Sequence, residues 1–259
     1  MRRELAGALL VVLAACGGGG DDDDDAAISA TSVTSLPAQS STSTTTAVPE
    51  LVRWEYDGSG WRAAGEPPPC DALDALPAPT DLDGATSVLY PGQPRGGDYK
   101  PHGGFRFDGA ATQDLELHAT IDGYLSRVSH YLEGGDVQYL VEIVNSCGLM
   151  VRFDHIATPS ADLKAVFDAL PPPQPDDSRT TNVEPSLELV AGDVIATAVG
   201  HPGNVAYDFG VYDLRQPNGS VAPPGELSSF AICWLDLVPG ARELPPGDPA
   251  SGTASDYCT

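Results

Sequence analysis

Basic side chains are scarce in this chain. The 13 Lys and Arg stand against 37 Asp and Glu, a formal charge of −24 over 259 residues. So acidic a surface repels polyanions, which argues against nucleic acid and anionic lipid headgroups as partners. Several chemical signatures are also missing. There is no Cys-x-x-Cys pair, no Gly-x-Ser-x-Gly elbow to carry a nucleophilic serine, and no glycine pattern for phosphate or dinucleotide binding. The apolar run at the start, Leu5 to Leu13, is too short to cross a bilayer.

What that run does have is a basic start (Arg2, Arg3) and an ending in Leu13-Ala14-Ala15-Cys16. This resembles the bacterial lipobox, in which the cysteine is acylated and becomes the new N-terminus. The resemblance implies export and a lipid anchor at Cys16 on the extracytoplasmic face of a bacterial membrane; an ordinary secretory peptide would also imply export. Four glycines (Gly17 to Gly20) and five aspartates (Asp21 to Asp25) follow, then Ser/Thr/Ala/Pro-rich sequence to about residue 50. With almost no apolar surface to bury, residues 17–50 read as a disordered tether, and the aspartate run as a solvated spacer.

Residues 51–66 offer Trp54-Glu55-Tyr56 and Trp61-Arg62 across Asp57-Gly58-Ser59-Gly60, which reads either as an aromatic hairpin or as a linker. Beyond them, residues 67–259 are long enough for one domain with its own core. Their texture is short β-type runs broken by Gly, Pro and Asp: Ser87 to Tyr90, Leu115 to Ser129, Val137 to Val144, Leu149 to His155, Leu187 to Val190, Val194 to Val199 and Val205 to Leu214. A single short helix is expected over Ser160 to Leu170, capped by Ser160 or Asp162 and ended by Pro171 to Pro173. The expected fold is all-β, an antiparallel sandwich with one short helix and an irregular tail. Four cysteines remain after Cys16, and an even number in an exported chain favours disulfides. Four cysteines allow three pairings. The preferred one joins Cys233 to Cys258, a local loop stapling the tail, and therefore Cys70 to Cys147.

The order of motifs resembles the lysostaphin/LytM-type zinc endopeptidases, which cut peptide crosslinks in bacterial cell wall. The family's opening His-x-Gly-x-Asp-Phe is matched in part by Pro101-His102-Gly103-Gly104-Phe105-Arg106-Phe107. Its strand ending in a small residue, Asp and Gly is matched by Ala119 to Leu125, and its Tyr-Ala-His-Leu by Phe153-Asp154-His155-Ile156. Gly192 to Gly200 follows the next signature, and Ala206-Tyr207-Asp208-Phe209-Gly210-Val211 falls on the closing His-Leu-His-Phe-Glu-Val. The match runs collinearly from His102 to Leu214, and it implies a β-sandwich of that family's kind.

The resemblance also implies a zinc site, for which neutral imidazoles and a carboxylate must converge at about 2 Å from the metal. Carried over residue by residue, His102 is the first ligand and His155 the accessory catalytic histidine. The other positions depart from the pattern: Arg106 stands where the ligand aspartate belongs, Ala206 where the base histidine belongs, and Asp208 where the second ligand histidine belongs. Asp108 lies two residues beyond the expected place, and an extended chain would hold it roughly 20 Å from His102. Only a bulge at Gly103-Gly104 would complete a His102, Asp108, Asp208 site. The simpler expectation is an Arg106–Asp208 ion pair filling the cation's place, with no cofactor. His201 and Tyr207 are expected near the groove, whereas His118 and His130 are expected to face solvent.

Two function classes stay open. One is an envelope lipoprotein whose peptidase-like domain is non-catalytic and binds or regulates at the cell wall, its groove holding peptidoglycan or an envelope protein. The other is a divergent zinc metalloendopeptidase acting on peptidoglycan peptides through His102, Asp108, Asp208 and His155. A secreted sugar- or peptide-binding domain unrelated to the wall is a third reading, since Trp54, Trp61 and Trp234 suit sugar stacking as well as core packing. The leader makes its own prediction: Cys16→Ser moves the protein from the membrane fraction to soluble or unprocessed forms on cell fractionation. Retention of membrane binding with normal processing would contradict it.

Overall fold

The computed structural model describes residues 51–109, 115–219, 224–247 and 257–258. Cys16 and the tether lie outside the described residues. In chain order the strands are β1 (Trp54–Tyr56), β2 (Trp61–Ala63), β3 (Ser87–Leu89), β4 (Gln93–Arg95), β5 (Asp98–Lys100), β6 (Gly103–Arg106), β7 (Leu117–His118), β8 (Gly123–Glu133), β9 (Asp136–Val144) and β10 (Leu149–Pro159). The helix α1 (Ala161–Asp168) follows, then β11 (Gln174–Pro175), β12 (Thr181–Asn182), β13 (Glu188–Leu189), β14 (Val194–Val199) and β15 (Ala206–Asp213). Among the described residues no helix is long and apolar enough to cross a membrane.

The fold is all-β and sandwich-like, as the alternation of short apolar runs requires. Eleven strands share one sheet, ordered β11-β8-β9-β10-β15-β6-β3, with β12 and β13 also on β8, and with β14 on β10 and β7 on β14. Its centre is the β9–β10 hairpin, closed by a turn that its own side chain organises: Asn145 Oδ1 accepts from the amides of Gly148 at 3.0 Å and Leu149 at 2.8 Å. Gly148 sits there at φ 102°, and a Cβ on it would meet the Trp54 ring at 2.6 Å, so both the turn and the contact require glycine.

β10 is the strand that bends the sheet. Leu149 to Asp154 pair with β15, whereas Ile156 to Pro159 pair with β14, and the ladder to β9 skips between Phe153 and Ile156. His155 occupies the skipped position at φ 60°, a left-handed conformation that a non-glycine residue rarely adopts. A strand that changes partner at such a bulge turns a corner, which folds the sheet over its own core. That core collects Phe105, Val151, Phe153, Ile195, Val199 and Phe209, with Leu163 and Phe167 from α1. Ser160 holds the N-cap of α1 without making a side-chain capping bond.

A second buried cluster lies on the opposite face, where successive side chains of one strand alternate between the two. Tyr124, Val144, Met150 and Tyr212 stand side by side across four strands and are covered by Trp54, Trp61 and Phe230. The β1–β2 segment is therefore a docked hairpin and not a linker. Asp57 Oδ1 accepts from Ser59 N and Gly60 N to form its turn, Trp54 N donates to Tyr124 Oη at 2.8 Å, and Trp54 Nε1 donates to Ser146 O at 3.1 Å.

Both disulfides follow the preferred pairing, Cys70–Cys147 and Cys233–Cys258. The tail is irregular and stapled as expected, and it also packs inward: Trp234, Leu235, Val238 and Ala241 are buried in the main core. The Trp234 ring lies 5.2 Å from Phe105 and 5.1 Å from Phe209, so it is core and not a sugar platform. A buried aromatic of this kind contributes about 3–5 kcal/mol, judged by truncation elsewhere. Two further departures come from polar sequence. The glycine-rich stretch after Tyr90 contains the β4–β5 hairpin, and the loop after the helix supplies β11 and β12 to the edge of β8. Pairing of backbone, not burial of side chains, forms these strands, so no apolar alternation announces them.

Candidate functional site

Antiparallel pairing of β6 with β15 places Gly104 opposite Asp208 and Gly103 opposite Phe209, so His102 arrives beside Asp208. Gly104 has to be glycine, since a Cβ there would meet Tyr207 O at 2.3 Å. On the other side of β15, Asp208 faces Asp154 of β10 in direct register. Two carboxylates opposed across a ladder repel each other unless each is compensated. Asp154 is held by Tyr131 Oη at 2.8 Å, by the His155 amide at 2.8 Å and by Arg152 Nη2 at 3.3 Å. Asp208 is held by His102, His155 and Arg95. His102 Nε2 lies 2.8 Å from Oδ2, His155 Nε2 lies 3.7 Å from the same oxygen, and Arg95 Nη2 lies 3.8 Å from Oδ1.

The two imidazoles are in opposite states. At His102, burial outweighs the attraction of Asp208 and pushes the pKa below its ordinary value, so the ring is neutral at pH 7. At His155, burial alone would do the same, but it is overcome by Glu133, whose Oε2 lies 3.0 Å from Nδ1, and by Asp154 and Asp208, which together raise the pKa to about 10. His155 is thus an imidazolium with both ring nitrogens protonated. Glu133 is held ionised against burial, chiefly by its bond to His155, with His155 and His201 adding charge attraction. Asp208 is held well below the usual carboxylate range: its burial is outweighed by His102, His155 and Arg95.

These contacts correct several expectations. Arg106 does not pair with Asp208: it stands opposite Ala206 and turns to Asp108, Nη2 to Oδ1 2.8 Å. The cation that reaches Asp208 is Arg95, anchored by Nη2 to His102 O at 3.0 Å. β6 runs in unbroken register with both neighbours, so no bulge at Gly103-Gly104 brings Asp108 toward His102. Asp108 is exposed, and its bond to Arg106 holds its pKa low. The set His102, Asp108, Asp208 is therefore not assembled; His102, Asp208 and His155 are. Tyr207 is fully buried between Phe105 and Phe107 and lines no groove. His201 forms a tight turn with Asn204, near Glu133. His118 and His130 are half-buried, the first held by Gly192 O and Glu116, the second stacked on Phe167.

A metal at this cluster would have to compete with the charges already beside Asp208. Among the described residues no group of three His, Cys, Asp or Glu side chains is arranged to hold a metal ion. The Arg95 guanidinium, with Nη2 3.8 Å from Asp208 Oδ1, would repel a cation placed between His102, Asp208 and His155. The cluster can instead hold fixed charge: one carboxylate neutralised by a guanidinium and an imidazolium, with a neutral imidazole beside it.

Sequence reasoning missed Arg95, Glu133, Tyr131 and Arg152. Arg95 carried one signal, a basic residue in a glycine-rich turn of a chain poor in basic residues. The open volume near the cluster lies one row along the same sheet face. A recess of about 470 Å³ stands over Arg127, Glu142 and Arg152, and one of about 350 Å³ lies beside it against Arg53 and Glu55. A third, of about 980 Å³, runs along the Cys70–Cys147 bridge. Comparison with protein-family models, with curated proteins and with solved structures finds no match for this chain.

The state of His155 gives a pH prediction. Its folded pKa of about 10 lies above the ordinary 6.5, so its contribution to stability is complete below pH 6.5 and is lost as pH rises through about 10. Unfolding free energy of the native protein should decline across that window, and His155→Gln should flatten the decline. By NMR, the His155 ring should show no titration between pH 5 and 8. A His155 midpoint near 6.5 would contradict the assignment.

Proposed function

We propose that this protein is a bacterial envelope lipoprotein, anchored through Cys16 on the extracytoplasmic side, whose peptidase-like β domain is non-catalytic and binds at the cell wall. Its partner is peptidoglycan or an envelope protein, and its acidity keeps nucleic acid away. One observation carries the reading. At the place where the resemblance to the zinc endopeptidases calls for a metal and a base, Asp208 is surrounded by the protein's own Arg95, His102 and His155. Ala206, in the base position, has no group that takes a proton. Removing a metal from such a site leaves carboxylates that need other cations, and an arginine with a protonated histidine supplies them without disturbing the surrounding strands.

The corner at His155 supports this reading. The bulge in β10 places His155 3.0 Å from Glu133 and 3.7 Å from Asp208, an arrangement in which the carboxylates are compensated by the protein's own groups. Elemental analysis of chelator-free protein tests the proposal. It should give well under one equivalent of zinc, His102→Ala should leave that value unchanged, and cell-wall material should release no peptides. Stoichiometric zinc, lost in His102→Ala together with hydrolysis, would overturn the reading in favour of a metallopeptidase.

A further inference from the structure

Leu149, at the start of β10, lines the recess of about 980 Å³ beside the Cys70–Cys147 bridge. His155 stands six residues further along the same strand, roughly 20 Å away in extended chain, so this recess and the histidine cluster are separate places. The floor of the recess is apolar. Ile121 and Leu149 are buried against the core, whereas Leu73 and Ile232 are only half-buried and keep part of their surface open. Next in the chain to Ala191 of the rim, Val190 is 60% exposed, the one large hydrophobic side chain so exposed among the described residues. A lone exposed valine means little; here it adjoins an apolar recess, and the combination marks a binding surface.

The walls are set before anything binds. The disulfide ties residues 68–73 to the β9–β10 turn. Asp122 Oδ1 accepts from Ala191 N at 2.8 Å and Asp193 Oδ2 from Val190 N at 2.8 Å, which fixes the rim on that loop as well. Charge then selects the occupant. Asp71 and Asp122 are exposed on the rim, and neither has a cationic partner among the described residues. Asp213 is cancelled by Arg215, whose Nε and Nη2 each lie 2.7 Å from one of its oxygens. Two carboxylates therefore stand uncompensated beside apolar surface. The chain itself has little to offer them. Residues 17–50 contain Asp21 to Asp25 and Glu50 but no Lys or Arg. Of the 11 Lys and Arg that follow, ten are already paired with the protein's own carboxylates, Lys100 being the exception. Neither the tether nor a second copy of so acidic a chain is the complement of this rim; a basic partner is.

We propose that this recess docks a short extended segment of a basic partner protein, an apolar side chain entering over Leu73 and Ile232 and a neighbouring lysine or arginine meeting Asp71 and Asp122. The inference rests on the binding role proposed above and narrows its partner to an envelope protein. The two fail separately. Zinc at the histidine cluster would end the non-catalytic reading and leave peptide docking intact, whereas a recess that binds no peptide would leave the histidine cluster as described.

The test is titration of the full-length protein with acetyl-leucyl-lysyl-leucine amide, followed by NMR through the methyl signals of Leu73, Ile121 and Ile232. These signals should shift. The same peptide with norleucine for lysine keeps the apolar surface without the charge, and should bind about threefold to tenfold more weakly; with glutamate for lysine it should not bind. Asp71→Asn combined with Asp122→Asn should remove the advantage of the lysine peptide, and the asparagine oxygen at 122 still accepts from Ala191 N, so the rim is kept. Salt at about 1 M, where screening acts over roughly 3 Å, should do the same to the native protein without any substitution. No methyl shift with the lysine peptide, equal affinity for the three peptides, or a lysine advantage that survives the double substitution would overturn the proposal. Peptidoglycan fragments that shift these signals where the lysine peptide does not would overturn it in favour of the wall itself.

Discussion

A carboxylate in the middle of a sheet governs this molecule. Asp208 lies on β15, its side chain 15% exposed, with Asp154 directly across the ladder. A buried charge without partners would be destabilising by several kcal/mol, and two of the same sign in register would be worse. The surrounding structure supplies the compensation from four directions. β6 brings His102, the β4–β5 hairpin brings Arg95, the bulge in β10 brings His155, and the end of β8 brings Glu133 and Tyr131 to fix His155 and Asp154. Even the left-handed backbone of His155 is explained by this need, since a regular strand would carry residue 155 to the opposite face from Asp154.

The same logic runs one row further. Glu142 is to Arg127 and Arg152 what Asp208 is to Arg95 and His155: a buried anion with two cations of the protein's own. The two rows are joined, because Arg152 bonds both Glu142 and Asp154. The sheet therefore carries a continuous polar network beside the apolar row under Trp54 and Trp61. Such networks are stable only when their members are satisfied, and they fix one arrangement of the strands when they are.

Much of the fold was legible. The β9–β10 hairpin, the long runs that became β14 and β15, the helix and the pairing of both disulfides followed from alternation, turn residues and cysteine spacing. The edge strands β11 and β12 and the β4–β5 hairpin were not, because their residues bury little and only backbone bonds define them. Of the site, His102, His155 and Asp208 were legible as positions. Their states were not, for these depend on Glu133 and Arg95, distant in sequence and brought in by tertiary structure. The misplacement of Arg106 has a simple physical origin. Alternation puts Arg106 and Gly104 on one face of β6, but the register sets Gly104, not Arg106, opposite Asp208, and Asp108 two residues on offers Arg106 a nearer carboxylate.

The central claim is that Asp208 is satisfied by the protein's own cations, His155 first among them. A double-mutant cycle between His155→Gln and Asp208→Asn, read by denaturant unfolding at pH 7, measures that interaction with both backgrounds in hand. The account predicts a favourable coupling of about 1–3 kcal/mol. It further predicts that the coupling falls away when the cycle is repeated above pH 10, where the imidazolium is lost. Effects of the two substitutions that add to within about 0.5 kcal/mol at pH 7 would contradict it.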